Sequence, residues 1–328
     1  MRALQITELT GPATALRLVE LPDPPPEHPM TPGHGVVIEV KAAGVSFPEL
    51  LQTRGEYQMK PELPFVPGSE VAGVVRSASD GSGFTPGDRV AGFCMLGGFA
   101  EVVVAPPTMT FALPGSLDFA QGAGLILNYH TAYFALVTRG RLRAGESVLI
   151  HGAAGGVGTA TIQVANGLGA RTIAVVSTDE KAKVARAAGA ADVVRSDGPW
   201  KDEVLELTGG GVDVVIDPVG GDRFTDSLRS LGRGGRLVVV GFTGGPIPEV
   251  KVNRLLLRNT EVVGAGWGEY VIGSGLAYGR EAADAIATLA ADGFIKPIVG
   301  AQLPFDRAGE ALALLDQRRA TGKVVLIP

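Results

Sequence analysis

Apolar residues follow two different patterns in two parts of the chain. Between Ser147 and Gly264, short apolar runs alternate with stretches whose apolar residues recur at helical spacing. The runs lie at 148–150, 172–176, 192–194, 212–216, 236–240 and 260–263. Strands that alternate with helices build a parallel sheet, because each helix returns the chain across one face. The pattern therefore predicts a doubly wound, six-stranded α/β domain.

Residues 1 to about 115 show the second pattern, in which apolar and polar residues alternate over short runs. Alternating runs at 36–40, 71–75 and 100–104 are interrupted by Gly and Pro, which is typical of a β-barrel or sandwich. Beyond Gly264 we expect helices at 281–292 and 304–318 and a strand at 323–327, which would rejoin the first domain. The predicted domains are thus 1–120 with 265–328, and 121–264.

A glycine-rich turn follows the first strand of the alternating region. Residues 148–158 read Val-Leu-Ile-His-Gly-Ala-Ala-Gly-Gly-Val-Gly, with Ala153 at the first glycine position of the G-x-G-x-x-G pattern. The free N–H groups of the helix that such a turn opens can hold a pyrophosphate. An ordinary tight turn is the alternative. The strand-turn-helix context favours a Rossmann dinucleotide site formed by Ala154, Gly155, Gly156, Val157 and Gly158.

The residue after the second strand indicates the cofactor. Enzymes that use NAD place a carboxylate there, about 20 residues beyond the glycines, whereas this chain has Ser177. Ser177 can donate to a 2′-phosphate, and Lys181 adds positive charge one helical turn later. In the alternative interpretation, Ser177 and Glu180 form a capping box and Lys181 is solvated. We expect NADPH, although Asp179 or Glu180 could instead face a ribose.

Composition narrows the possible partners and compartment. The formal net charge is −5 without a basic run, which argues against a nucleic-acid partner. No apolar run approaches a membrane span, and the amino terminus lacks the apolar core of a signal peptide. Cys94 is the only cysteine, which fits a reducing compartment. We expect a cytoplasmic protein with a small-molecule substrate.

Motifs along nearly the whole chain resemble the zinc-independent quinone oxidoreductases, the zeta-crystallin-like branch of the medium-chain dehydrogenase/reductase superfamily. They lie at residues 42–51, 54–57, 64–73, 86–90, 153–158, 217–221 and 321–326. The resemblance implies a GroES-like β-barrel catalytic domain, a Rossmann domain and NADPH as the cofactor. Relatives are often homodimers that extend the Rossmann sheet, so the resemblance also implies a homodimer, with the strand at 260–263 as the shared edge.

The resemblance also implies a substrate pocket. Tyr57 matches the second of two tyrosines that face the substrate in many relatives and is the candidate catalytic hydroxyl donor. Leu51 occupies the position of the first tyrosine, Ser46 that of an asparagine beside the nicotinamide, and Glu49 that of an aspartate. These departures leave the preference for quinones open. Tyr270 is a weaker substrate-binding candidate.

Further cofactor contacts come from the same resemblance. Asn128 and Thr131 match a segment that approaches the nicotinamide, and Trp267 matches a contact after the sixth strand. Gly241 and Phe242 follow the fifth strand, at the edge where dinucleotides bind. Arg319 is expected to balance phosphate charge; Lys323 could do the same or be solvated.

Ligand chemistry argues against a metal. Catalytic zinc needs three protein ligands, whereas the chain has one cysteine and four histidines that share no ligand spacing. Ser46 and Ser69 stand where zinc-dependent relatives carry a cysteine and a histidine. Metal-free hydride transfer requires an electrophilic acceptor, so we expect a quinone or an α,β-unsaturated carbonyl. An enoyl-thioester reductase and a non-catalytic NADPH-binding structural or regulatory protein are the alternatives.

Overall fold

A computed structural model describes residues 1–274 and 277–328. The strands in these residues are β1 (Arg2–Ile6), β2 (Leu16–Glu20), β3 (Val36–Val45), β4 (Glu70–Ala78), β5 (Arg89–Phe93), β6 (Val102–Ala105), β7 (Thr110–Ala112), β8 (Ser147–Ile150), β9 (Arg171–Val176), β10 (Asp192–Arg195), β11 (Val212–Asp217), β12 (Leu231–Val239), β13 (Glu261–Gly264), β14 (Val299–Pro304) and β15 (Lys323–Ile327).

The α-helices in the same residues are α1 (Phe47–Gln52), α2 (Phe119–Gly122), α3 (Ile126–Tyr133), α4 (Gly156–Gly167), α5 (Asp179–Ala187), α6 (Trp200–Thr208), α7 (Phe224–Arg229), α8 (Asn253–Arg258), α9 (Trp267–Ser274), α10 (Ala277–Ala291) and α11 (Ala308–Asp316). Helix α3 continues into a π-helical segment, Phe134–Arg139. None of the helices in the described part of the chain has the length and apolar character needed to cross a bilayer.

The chain forms two compact units. Unit 1 comprises Met1–Leu127, Leu276–Ala283 and Pro297–Pro328; unit 2 comprises Asn128–Gly275 and Asp284–Lys296. The sequence prediction had placed all of 265–328 in the first domain. The described residues 265–274 and residues 284–296 instead group with unit 2, where Trp267 packs against His130 and the Gln163 amide donates to the Lys296 carbonyl.

Unit 1 is the predicted GroES-like β domain. Its larger sheet has the order β14-β15-β3-β4-β5-β7, with β6 also paired to β3, and a smaller sheet pairs β1 with β2. The inward residues of β3, including Val36 and Ile38, are buried in an apolar core with Leu50 and Phe99. The alternation of apolar residues at 36–40 corresponds to this half-buried central strand.

Unit 2 confirms the predicted Rossmann sheet. Its strands are all parallel and follow the order β10-β9-β8-β11-β12-β13. Leu149, Ile173, Val215 and Leu237 are fully buried, because helices cover both faces of a doubly wound sheet. The order reverses between β8 and β11, which is where such sheets bind ligands at the carboxyl ends of their strands.

Candidate functional site

The glycine turn after β8 lies beside the point where the strand order reverses. Gly152 has φ +59°, in the left-handed region, so the sharp turn is made one residue before Ala153, which stands at the first glycine position of the pattern. Ala153 is buried and donates its N–H to the Val175 carbonyl at 3.4 Å. The sequence feature that could have predicted this position is Gly152 itself, which lies one residue before the G-x-G-x-x-G pattern and is not part of it.

Each of the three glycines that follow meets a different environment. A β-carbon on Gly158 would come within 2.3 Å of the Gly152 carbonyl, so glycine is required where α4 packs on the turn. A β-carbon on Gly156 would come within 2.5 Å of the Asn128 amide. Gly155 is the N-cap of α4, and its β-carbon would meet only the Gly152 carbonyl, at 3.4 Å. The space over Gly155 is therefore open beside the first free N–H groups of α4.

The end of β9 carries the residues predicted to choose the cofactor. Lys181 Nζ donates to Ser177 Oγ at 3.2 Å, so the two side chains share one face, as expected. The Ser177 capping box is wrong, because Thr178 is the N-cap of α5 and its hydroxyl accepts the Lys181 N–H. Ser177 is thus left beside the lysine rather than used to begin the helix.

Arg195, at the end of β10, is a cation that the sequence interpretation missed. Its guanidinium donates to the Ser177 carbonyl at 2.9 Å and pairs with Asp179 and Asp197. Asp179, which could have faced a ribose, is held by this pair. Because β10 lies beside β9, the last residues of both strands meet at one edge. The signal in the sequence was this position at the end of the third strand.

The loop after β12 lies against the loop after β11. The Thr243 N–H and hydroxyl both donate to the Pro218 carbonyl at 3.1 Å, while Phe242 is exposed. Gly241 therefore lies at the carboxyl edge of the sheet, and Phe242 beside it presents its ring to solvent.

The first turns of α3 and the helix α9 meet in unit 2. Asn128 is buried against Gly156, and Thr131 follows one helical turn later. Trp267 is buried with its ring 5.6 Å from that of His130, and burial lowers the pKa of His130 to about 3. His130 is thus neutral at pH 7 and is no proton donor as an imidazolium.

Two tyrosines of unit 2 have different surroundings. Tyr129 is buried and donates to Gln163 Oε1 at 2.7 Å, and burial raises its pKa. Tyr270 is exposed, with its ring 4.8 Å from that of Phe134. Of these two, only Tyr270 presents its ring to solvent.

In unit 1, α1 and the turn after it position Leu51 and Tyr57. The Leu51 carbonyl accepts the N–H groups of Arg54 and Glu56, both at 3.0 Å, which ties the loop to the end of the helix. Leu51 and Tyr57 are both half-buried. Arg319 lies after α11, exposed, and donates to Gln317 Oε1 at 3.1 Å.

A buried polar cluster lies behind the first residue of α1. It consists of Ser46, Glu49, Ser69, Glu70 and Lys323, and we call it the Lys323 cluster. Lys323 Nζ donates to Ser46 Oγ at 2.6 Å and to Glu70 Oε1 at 2.5 Å. Lys323 is therefore neither solvated nor available to a phosphate, contrary to expectation.

The carboxylates of the Lys323 cluster are also bonded to backbone. Glu49 accepts the N–H groups of Ser46 and Ser69, at 2.8 and 3.0 Å, and the Ser69 hydroxyl. Burial raises the pKa of Glu49. Glu70 Oε2 accepts the N–H of Leu127 at 2.8 Å.

Comparison with known proteins identifies the family. Residues 31–115 match the alcohol dehydrogenase GroES-like domain, and residues 156–287 match the zinc-binding dehydrogenase family. The chain is 39% identical to the quinone oxidoreductase-like protein 2 of Rattus norvegicus over 99% of its length and 91% of the rat protein.

The chain belongs to the quinone oxidoreductase family of the medium-chain dehydrogenase/reductase superfamily. Among solved structures, a probable oxidoreductase from Mycobacterium abscessus is 46% identical, with a TM-score of 0.88 over 100% of this chain and 99% of that one. The quinone oxidoreductase of Thermus thermophilus, solved also with NADPH, is 36% identical, with a TM-score of 0.82 over 100% of both chains.

As a member of this family, the protein is an oxidoreductase that uses a nicotinamide cofactor. The residues of unit 2 fit that cofactor. The open space over Gly155 can accommodate a pyrophosphate. The carboxyl ends of β9 and β10 carry the polar groups that an adenosine moiety requires.

The residues of this protein that correspond to the zinc ligands of other dehydrogenases do not suit a zinc ion. Ser46 and Ser69 offer neutral hydroxyls, and the Lys323 ammonium already lies against Glu70. Burial raises the pKa of the Cys94 thiol, which keeps it protonated. Among residues 1–274 and 277–328, no group of three or more His, Cys, Asp or Glu side chains could hold a metal ion.

Proposed function

We propose that this protein transfers a hydride from NADPH to a quinone or an α,β-unsaturated carbonyl without a metal ion. The observation that carries the cofactor assignment is the pair of cations around Ser177, where NAD enzymes place a carboxylate. Lys181 and Arg195 both bond to Ser177, one through its hydroxyl and one through its carbonyl. A 2′-phosphate would find the Lys181 ammonium and the Ser177 hydroxyl at one strand end, next to an Arg195 guanidinium that is already paired with Asp179 and Asp197.

The remaining cofactor contacts are assigned by position. The backbone of residues 154–158 would hold the pyrophosphate at the N-terminus of α4. Asn128, Thr131 and Trp267 would lie at the nicotinamide end, as the family resemblance implies. Gly241 and Phe242, at the carboxyl edge of β12, and Arg319 remain predicted contacts.

The acceptor class follows from the chemistry that the protein's own side chains can supply. Bound NADPH supplies hydride, and negative charge then develops on the carbonyl oxygen of the acceptor. A quinone or enone accepts hydride without Lewis-acid activation, and a hydroxyl donor is sufficient to stabilise the oxygen. We assign that donor to Tyr57, with Leu51, Ser46 and Tyr270 as further substrate-binding residues.

The quaternary structure that we propose is a homodimer formed along β13. This strand is at one end of the unit 2 sheet, and its Val262 is exposed. Leu256 and Leu257 of the preceding α8 are also exposed. An uncovered edge next to exposed leucines suits pairing with a second copy.

The test is NADPH oxidation, followed by absorbance, with chelator-treated protein. The acceptors are a benzoquinone, a naphthoquinone, a simple enone and crotonyl-coenzyme A, and NADH is compared in parallel. Turnover with a quinone or the enone supports the proposal. Turnover with crotonyl-coenzyme A alone would move the assignment to an enoyl-thioester reductase. Cofactor binding without turnover would indicate a non-catalytic protein, and loss of activity on chelation would exclude the metal-free reaction.

A further inference from the structure

The Lys323 cluster places a fixed positive charge directly behind a serine hydroxyl. The Lys323 side chain is 3% exposed and that of Glu70 is fully buried. Nζ lies 2.6 Å from Ser46 Oγ, within normal hydrogen-bond distance. An ammonium has only donors, so Ser46 Oγ must be the acceptor in this contact.

The Ser46 hydroxyl proton is consequently directed away from Lys323. Within residues 1–274 and 277–328, no protein atom accepts that proton, while the Ser46 backbone N–H is already bonded to Glu49. Ser46 is also the most exposed member of the cluster, at 9%. The cluster thus combines a bonded cation with a hydroxyl whose O–H donor is unused.

Stability alone is a poor explanation of this arrangement. Removing a lysine and two glutamates from water is costly, and apolar replacements of buried ion pairs are often neutral or stabilising. The ammonium is moreover held by residues far apart in sequence, since β15 pairs with β3, and Lys323 reaches Glu70 at the start of the next strand, β4. A buried ammonium bonded to a hydroxyl whose own proton is unused is an arrangement suited to a site where negative charge develops.

We propose that the Ser46 hydroxyl donates a hydrogen bond to the acceptor oxygen that becomes negative, and that Lys323 is the positioning residue that polarises this donor. The proposal deepens the proposed function and rests on it. Hydrogen bonds in chains polarise one another, so the O–H of a hydroxyl that accepts from an ammonium becomes a stronger donor. Glu70 keeps Nζ in place and Leu127 in turn holds Glu70.

The role of the cluster differs from that of Tyr57. Both residues would offer a neutral O–H to the oxygen, but the Ser46 hydroxyl also accepts from the Lys323 ammonium, which places a formal positive charge two hydrogen bonds from the oxygen. The bond from Lys323 Nζ to Ser46 Oγ is charge-assisted, and such bonds are roughly twice as strong as neutral ones. The pair should therefore favour acceptors whose reduced form is an oxyanion, such as the anion of a quinol or an enolate.

The probe for this donor is 4-nitrophenol, an oxyanion analogue whose ionisation is visible in its absorbance. The full chain is titrated with the phenol across pH, first without cofactor and then with saturating NADP⁺. We expect the pKa of the bound phenol to fall by about one to two units relative to the free phenol, because a charge-assisted donor stabilises the phenolate. A phenol that does not bind, or that binds with its free pKa, overturns the proposal.

The variants separate the donor from the fold. S46A should remove the shift and S46T, which keeps a hydroxyl, should retain it. K323M combined with E70Q removes both charges while the Gln carbonyl can still accept the Leu127 N–H, and it should lose most of the shift. S69A is the matched control, because its hydroxyl contacts Glu49 and not Lys323. Melting temperatures report whether each variant folds.

The phenol titration and the turnover assay can fail independently. Quinone or enone turnover in a wild-type protein that shows no phenol shift would retain the proposed function and reject the role of Ser46 and Lys323. A phenol shift that disappears in S46A, without turnover of any quinone or enone, would reject the proposed acceptors and leave Ser46 as an oxyanion donor. A shift that persists in S46A would assign the phenolate to another donor and reject the inference.

Discussion

The side-chain amide of Asn128 lies directly over the α-carbon of Gly156. A β-carbon at position 156 would come within 2.5 Å of Asn128 Nδ2. One side of the glycine turn is therefore closed by a buried polar side chain, while the adjacent position, Gly155, faces open space. The three glycines of the turn consequently have separate roles that substitution can distinguish.

Substitution G155A should weaken cofactor binding without loss of stability. Gly155 has φ −84° and ψ 179°, which alanine adopts freely, and its β-carbon would make only an ordinary contact. The added methyl would occupy the space proposed for the pyrophosphate. We expect the Kd for NADPH to rise about tenfold or more, equivalent to about 1.4 kcal/mol, at an unchanged melting temperature.

The control for this prediction is G158A, in which the β-carbon would collide with the Gly152 carbonyl. This variant should lose stability as well as binding. An unchanged NADPH affinity in G155A would show that the phosphates do not lie over the turn.

Cofactor preference should depend on the charges around Ser177. K181M removes a cation 3.2 Å from the serine hydroxyl, so the Kd for NADPH should rise about tenfold while that for NADH stays the same. S177D should weaken NADPH further through repulsion of the 2′-phosphate and improve NADH. Fluorescence titration with both cofactors measures each effect. If K181M weakened the binding of NADPH and NADH equally, the 2′-phosphate would not bind beside Lys181.

The hydroxyl of Tyr57 should contribute to turnover and not to cofactor binding. Y57F deletes the proposed donor and keeps the ring in a half-buried loop. By analogy with removal of one oxyanion donor, kcat should fall about a hundredfold at an unchanged Kd for NADPH. Y270F tests the weaker candidate in the same assay. Wild-type kcat in Y57F would assign the donor role to another group.

Unit 2 should lose stability in mild acid through His151. Burial lowers the pKa of His151 to about 4, whereas the unfolded chain takes up the proton near 6.5. The unfolded state binds more protons between these values, so the free energy of unfolding is constant above 6.5 and falls below it. The loss attributable to this group should be about 2 kcal/mol by pH 5.

Urea unfolding followed by tryptophan fluorescence can measure this loss, because the Trp200 ring lies 5.1 Å from His151 and both tryptophans belong to unit 2. H151Q has no titratable ring, so the slope of the unfolding free energy against pH should correspond to up to one fewer proton taken up on unfolding. A pH dependence identical to that of the wild type would show that His151 is not the responsible group.

A charge on the exposed edge of the Rossmann sheet should prevent self-association. V262K places an ammonium on β13, where like charges would meet across the proposed two-fold axis. The matched control is L207K, since Leu207 is 38% exposed and Val262 is 36% exposed in the same unit. Sedimentation velocity should show a dimer for the wild type and L207K and a monomer for V262K. A dimeric V262K would place the interface elsewhere.

Local signals were sufficient to predict the Rossmann unit. Each strand from β8 to β13 contains a short apolar run, although β12 begins five residues before the run predicted at 236–240. The glycines mark the start of α4, so periodicity and one turn predicted the strand sequence. The start of α5 shows that the sequence alone does not fix the capping residue of a helix. Two adjacent residues, Ser177 and Thr178, can both cap a helix, and only the backbone decides that Thr178 does so.

Contacts between distant segments were beyond local signals. Arg195 meets Ser177 only because β10 lies beside β9, and 18 residues separate the two. Lys323 lies 277 residues from Ser46, and nothing in its neighbourhood along the chain distinguishes it from a solvated lysine. Buried charges depend on partners supplied by tertiary structure, so composition and spacing predicted an exposed side chain.

The position of β15 also affects the order in which the protein can be completed during synthesis. The chain for β3, β4 and Glu70 is made first, and all of unit 2 is made before Lys323. Until Lys323 arrives, the buried carboxylate of Glu70 has no cation beside it, and the edge of β3 has no β15 to pair with. A nascent unit 1 is therefore an open sheet with an uncompensated charge, while unit 2 can close earlier on the ribosome.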